Sequence, residues 1–150
     1  MRLTMKVRNG QTRVHYDFFV SGRWRNRDNV LDLTQKIRAK GYRVYCFLEA
    51  AHSSHRVDND PEEDMQRFEK LDWRNDTYVK EVFQNDMQSE KNSNTFVLLL
   101  PGGKSCHIEA GVAYGLGKKC ILIGEQKEAE SLYLIFSENY SSVDEFLQTI

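Results

Sequence analysis

Apolar residues recur along the chain at two spacings, and the spacings separate strands from helices. Val14–Val20 (VHYDFFV) is rich in β-branched and aromatic residues and predicts a buried strand. Ser21-Gly22-Arg23-Trp24-Arg25 interrupts it as a loop. Asp28 or Asn29 then offers a short side-chain oxygen to cap a helix, with Val30, Leu33 and Ile37 at helical spacing and Gly41 as the stop. Tyr42–Leu48 (YRVYCFL) predicts a second strand. The chain thus opens as strand, loop, helix, strand, the unit from which parallel sheets are made.

From Glu49 to Asp60 the pattern dissolves into a polar loop, after which Pro61 suits the first position of a helix with Met65, Phe68 and Leu71 on its apolar face. A further helix is expected over Thr77–Lys91, with Val79, Val82, Phe83 and Met87 inward and Asp86 near its end. Thr95–Leu100 (TFVLLL) is apolar at nearly every position, as a central strand covered on both faces must be. Pro101–Ser105 is a tight loop before a helix from about Cys106 to Leu116, which Gly117 closes. Lys119–Ile123 predicts another strand, Leu132–Phe136 a further one, and Ser141 or Ser142 caps a last helix. This alternation predicts a doubly wound, flavodoxin- or Rossmann-like parallel sheet of about five strands with helices on both faces. Residues 1–150 read as one domain, with 1–13 a flexible basic segment ahead of the first strand. Ligands of such sheets bind at the carboxyl ends of the strands, here Ser21–Arg25, Glu49–His55, Pro101–Ser105 and Gly124.

Composition changes the picture little. Charged residues make up 29% and apolar ones 40%, a globular balance, and the net charge of −1 gives no footprint for nucleic acid or an anionic membrane. Arginine and lysine crowd the first 27 residues, which reads as solvated surface charge apart from Arg23 and Arg25. Cys46, Cys106 and Cys120 lack metal-binding or disulfide spacing and read as reduced thiols of a cytoplasmic protein. No metal or redox cofactor is expected, and no run is long enough to span a membrane. Gly103-Lys104-Ser105 hints at a phosphate-binding Walker A loop, but Leu98 stands where that motif needs its first glycine.

Three places carry a family resemblance. They are FFVSGRWRNR, Asp86 placed eight residues before Asn94, and the segment IEAGVAYGLGKK. From Tyr16 onward the chain resembles the nucleoside 2-deoxyribosyltransferases and the related 2'-deoxynucleoside 5'-phosphate N-hydrolases, whose Glu-x-Gly-x-Ala-x-x-x-Gly-Lys helix the last segment follows. The resemblance implies that Glu109 is the nucleophile. A carboxylate can attack the anomeric carbon and form a glycosyl ester, and the first turn of a helix would keep it ionised. Asp86 would be the second carboxylate, protonating the leaving base or orienting the sugar. The resemblance also implies a homodimer or larger assembly, with a neighbour contributing to the pocket.

Two positions depart from the family. Phe19 stands where a tyrosine hydroxyl contacts the nucleophile, and a phenyl ring cannot donate that bond. Tyr16, an odd number of residues away, is expected on the opposite face. Asn94 replaces an aspartate. Around the small-residue turn at Gly22, Arg23 and Arg25 are candidates for a 5'-phosphate, joined by backbone amides of Gly102 and Gly103 and the Ser105 hydroxyl. Trp24 and Phe47 are candidates to stack on a base, and His52 and His55 for a lid. His107, on another helical face from Glu109, is expected to have no catalytic role. The expected ligand is a small nucleoside or nucleotide. A TIR-like NAD glycohydrolase, which the strand-loop-helix opening also resembles, and a non-catalytic nucleotide sensor stand as alternatives.

Overall fold

The computed structural model describes residues 13–49 and 60–150; the basic segment before them and the loop carrying His52 and His55 lie outside the described residues. Strands β1 (Tyr16–Ser21), β2 (Val44–Cys46), β3 (Ser93–Leu99), β4 (Lys119–Ile123) and β5 (Glu138–Tyr140) form one sheet in the order β2-β1-β3-β4-β5. Every pairing is parallel. The helices are α1 (Arg27–Ala39), α2 (Pro61–Glu69), α3 (Thr77–Lys91), α4 (Lys104–Gly115) and α5 (Val143–Leu147).

Alternation along β1 divides the core. Phe18 and Val20 face α1 and α5, packing with Val30, Leu33, Ile37 and Phe146. Phe19 faces the other way, into a cluster with Tyr45, Phe96 and the α4 residues Cys106, Ala110 and Ala113. Helices therefore cover both faces, and each fully buried side chain of this size contributes about 1.5–3 kcal/mol. The sheet order reverses between β1 and β3, so the crevice for a ligand opens at their carboxyl ends.

Several local expectations shift. The first strand starts at Tyr16 and extends to Ser21, which pairs with Leu98 of β3. Helix α1 begins at Arg27 behind Asn26, which makes no side-chain cap, and Asp28 instead lies in the first turn, where its charge suits the helix end. The second strand is cut to Val44–Cys46 because Phe47–Glu49 winds into a 3-10 turn. The run Leu132–Phe136 is no strand: Ser131–Ile135 forms a 3-10 turn, begun by the Glu130 carboxylate accepting from the Leu132 amide at 3.1 Å. The last strand follows at Glu138. In α3, Phe83 is 63% exposed and Glu90 is 1% exposed. Val82, Asp86 and Glu90 recur every four residues along one stripe of the helix, and Phe83 falls outside it. Other boundaries hold: Asp60 caps α2 ahead of Pro61, Ser142 caps α5, and Gly41 ends α1 at a φ of 96°.

Candidate active site

Ser21 ends β1 on the same face as Phe19, since side chains alternate along a strand. That parity aims its hydroxyl at α4, where Ser21 Oγ donates to Glu109 Oε2 at 2.6 Å. Next door on β2, Tyr45 sits level with Phe19, and its hydroxyl donates to Asp86 Oδ1 at 2.8 Å. Two carboxylates from two helices are thus each held by a hydroxyl from the sheet, Ser21 on the inner strand β1 and Tyr45 on the edge strand β2. Both border a cavity of about 650 Å³ at the carboxyl edge of the sheet.

Burial pushes Glu109 up to about 7, the nearby Asp86 charge adds to the rise, and the Ser21 hydrogen bond opposes it. Helix α4 begins at Lys104, so Glu109 lies in its second turn and not its first. The helix dipole acts mainly within the first turn. The hydroxyl of Ser21, rather than the helix end, is therefore what favours the ionised form. Tyr45 is pushed well above its ordinary value by burial and then by the Asp86 charge, so it remains a hydrogen-bond donor.

The expected site residues divide. Gly22, Arg23, Trp24, Arg25, Gly103 and Ser105 line the cavity with Asp86 and Glu109. Gly22 is fixed by space, because a Cβ there would overlap Val30 Cγ2. The Arg25 guanidinium is engaged by Glu62 of α2 through bonds of 2.6 and 3.1 Å. Trp24 lies 6.1 Å from Phe47, ring centre to ring centre, and both border the cavity. Gly102 stands behind the cavity wall, where a Cβ would come within 3.2 Å of His107 and Leu98. Phe19 is fully buried, stacked between Tyr45 and Phe96, and offers no surface to a ligand. Tyr16 does not take the opposite face: its ring meets Tyr45 edge-on at 5.5 Å and joins the Phe19 cluster. At the first residue of a strand, the ring is not yet held to the strand's alternation. His107 instead braces the loop, Nδ1 lying 2.6 Å from the Gly103 carbonyl oxygen and Nε2 2.6 Å from the Tyr133 hydroxyl.

Sequence reasoning missed Ser21, Tyr45 and Asp64. Ser21 was legible, being two residues past Phe19 on the same strand face. Tyr45 needed the register between β1 and β2. Asp64, 2% exposed beside the apolar half of the cavity and ion-paired with Arg67, gave no signal within its acidic run. Among the described residues no group of His, Cys, Asp and Glu is arranged to hold a metal ion, and no helix is long and apolar enough to cross a membrane.

Among solved structures, the chain is similar to the 2-deoxyribosyltransferase of the psychrotolerant bacterium Bacillus psychrosaccharolyticus. That similarity has a TM-score of 0.59 at 14% identity, covering 87% of this chain and 89% of that one. It is also similar to the CMP N-glycosidase of Clostridium botulinum, with a TM-score of 0.48, 20% identity, and 88% and 96% coverage. No protein-family profile and no curated protein sequence matches the chain. The doubly wound fold expected from the sequence is therefore the fold of a deoxyribosyltransferase, and activity must be argued from the site.

Proposed function

We propose that this protein cleaves or transfers the N-glycosidic bond of a nucleoside 5'-monophosphate, with Glu109 as nucleophile. The observation that carries the reading is the Ser21-bound Glu109 carboxylate sharing one cavity with a Tyr45-bound Asp86. Ser21 occupies Glu109 Oε2, which leaves Oε1 to form a bond to the anomeric carbon while the bond from that carbon to the base nitrogen breaks. The electron pair leaves with the base, and Asp86, when protonated, supplies the proton. Water or a second base then attacks the ester and restores the Glu109 carboxylate. The substitution of Phe19 for the family tyrosine is met by Ser21, a shorter hydroxyl placed two residues further along the strand.

The cavity supports a nucleotide more than a bare nucleoside. The open first turn of α4, with Gly103 as an N-cap that makes no side-chain bond, presents backbone amides beside Lys104 and Ser105. Such an end favours an anion. Arg23 borders the same cavity. The opposite wall, with Met65, Phe68, Tyr78 and Val82, offers apolar surface for a base.

Chromatography of base released from a panel of nucleosides, nucleoside 5'-monophosphates and NAD, by the wild type and Glu109→Ala, tests the reading. Base released from a monophosphate by the wild type and lost in the variant supports it. Nicotinamide release alone would favour the NAD glycohydrolase reading. Ligand-induced stabilisation without base release from any substrate, with or without an acceptor base, would favour a binding module.

A further inference from the structure

His107 stands on α4 on a different face from Glu109, yet both of its ring nitrogens are engaged. Nδ1 lies 2.6 Å from the Gly103 carbonyl oxygen, and Nε2 lies 2.6 Å from the Tyr133 hydroxyl. A carbonyl oxygen can only accept, so Nδ1 carries the proton, and in the neutral ring Nε2 then accepts from Tyr133. Tyr133 is itself anchored, its ring centre 5.6 Å from that of the buried Phe136. On the loop side, a Cβ on Gly102 would come within 3.2 Å of His107 Cε1, so the ring also packs against the backbone it holds. Gly103 is open around its Cα: it caps α4 without a side-chain bond, and a Cβ there would meet no atom within 4 Å.

We infer that His107, oriented by Tyr133, is a positioning residue that fixes the Gly103–Lys104 peptide and so presents the Lys104 N–H to the phosphate of the substrate. A peptide unit is planar, and in its trans form the carbonyl and the N–H point in opposite directions. Holding the Gly103 oxygen therefore also aims the Lys104 N–H, out of the helix end. The helix's own bond to that oxygen, from the His107 amide, is long at 3.3 Å, and the side chain supplies the shorter hold. Glycine leaves the backbone at this position free to turn, so without His107 the peptide would have to be ordered when the ligand arrives. Gly103, Lys104 and Ser105 line the cavity together with Glu109, so the held peptide is one that a ligand meets. A donor fixed in advance gains affinity, because binding then carries no cost of ordering it. That the anion is a substrate phosphate rests on the proposed function; the hold on the peptide does not.

The experiment is 15N NMR of the full-length protein, first on the histidine rings and then on the backbone amides during a titration with inorganic phosphate. At mildly alkaline pH the His107 ring is expected to carry its proton on Nδ1 and none on Nε2; the opposite tautomer overturns the inference. Phosphate is expected to move the Lys104 amide signal saturably in the wild type, and no such movement also overturns it. His107→Leu, which loses both bonds, should weaken phosphate binding about 10-fold. His107→Asn puts an amide nitrogen the same number of bonds from Cα as Nδ1 and should restore binding to within about threefold of the wild type. Equal binding by the wild type and His107→Leu, or equal loss in the Leu and Asn variants, refutes the positioning role. With a monophosphate that releases base, His107→Leu should raise KM about 10-fold at little change in kcat and leave a nucleoside's KM unmoved. A fall in kcat alike for both substrates would mean a structural role only. If no substrate releases base, the proposed function fails, and the tautomer and the phosphate titration still decide whether His107 holds this peptide for an anion.

Discussion

Replacing Ser21 with alanine removes one atom from the site and should move a pH profile, which makes it the sharpest test of the geometry. The lost bond, 2.6 Å from hydroxyl to Glu109 Oε2, is the hydrogen bond that favours the ionised carboxylate against burial and Asp86. Hydrogen bonds to charged groups contribute about 1.5–3 kcal/mol, which corresponds to about one to two pK units. With Glu109 starting near 7, about half of the wild-type molecules carry its charged carboxylate, the form the proposed attack requires, at neutral pH. In Ser21→Ala that fraction falls to roughly a tenth or a hundredth, so base release at pH 7 should drop about 5- to 50-fold. Attack needs the anion, so the deficit should shrink as pH rises from 6 to 8. The assay is kcat/KM for base release from a nucleoside 5'-monophosphate across that range. A loss equal at every pH would mean that Ser21 positions without tuning, and an unmoved acid limb would refute the role given to it.

Other outcomes follow from the same geometry. Tyr45→Phe keeps the ring stack on Phe19 but removes the donor to Asp86, so base release should fall about 10-fold with a stability loss near 1 kcal/mol, read by kinetics and urea melts. Gly22→Ala drives a Cβ into Val30, which is fully buried, and should cost about 1–3 kcal/mol in a denaturant melt. Arg23→Ala should raise KM for a monophosphate about 10-fold and leave a nucleoside unaffected, whereas Arg25→Ala, whose fork is held by Glu62, should change monophosphate KM far less. Stability should also depend on pH. Glu90 has its folded pKa raised from 4.5 to about 8, so its contribution is fully present below about 4.5 and is lost as pH rises to about 8. Glu90→Gln should flatten that part of a Tm-against-pH curve; an unchanged slope would remove Glu90 as its source.

The sheet was legible because its strands are covered on both faces, and runs such as Phe96–Leu99 and Cys120–Ile123 are apolar without interruption. The helix containing Glu109 was legible because glycine and alanine recur where it meets the sheet, with Ala110 and Ala113 buried. What sequence could not supply was lateral register. Nothing along β1 announces that Tyr45 stands beside Phe19, so a hydroxyl absent from one strand could not be sought on its neighbour. The inward stripe of α3 was partly hidden, because the half-buried Asp86 and the buried Glu90 are polar while the apolar Phe83 points to solvent. A hydrophobic pattern read alone puts Val79, Val82 and Met87 on the partly buried side but also turns Phe83 inward. Asp64 escaped for the same reason. Ser131–Ile135 was misread because a short apolar run does not distinguish strand from turn without knowing what covers it.

The placement of Ser21 bears on how the protein would lose activity when heated. Its hydroxyl hangs from a backbone position hydrogen-bonded into the sheet opposite Leu98, and the residue is 1% exposed. A loop serine could wander during local fraying, but this one is released only when the central strands part. Amides in such strands exchange with solvent mainly through global opening. The donor to Glu109 should therefore stay aligned up to the cooperative melt, and thermal inactivation should coincide with unfolding instead of preceding it.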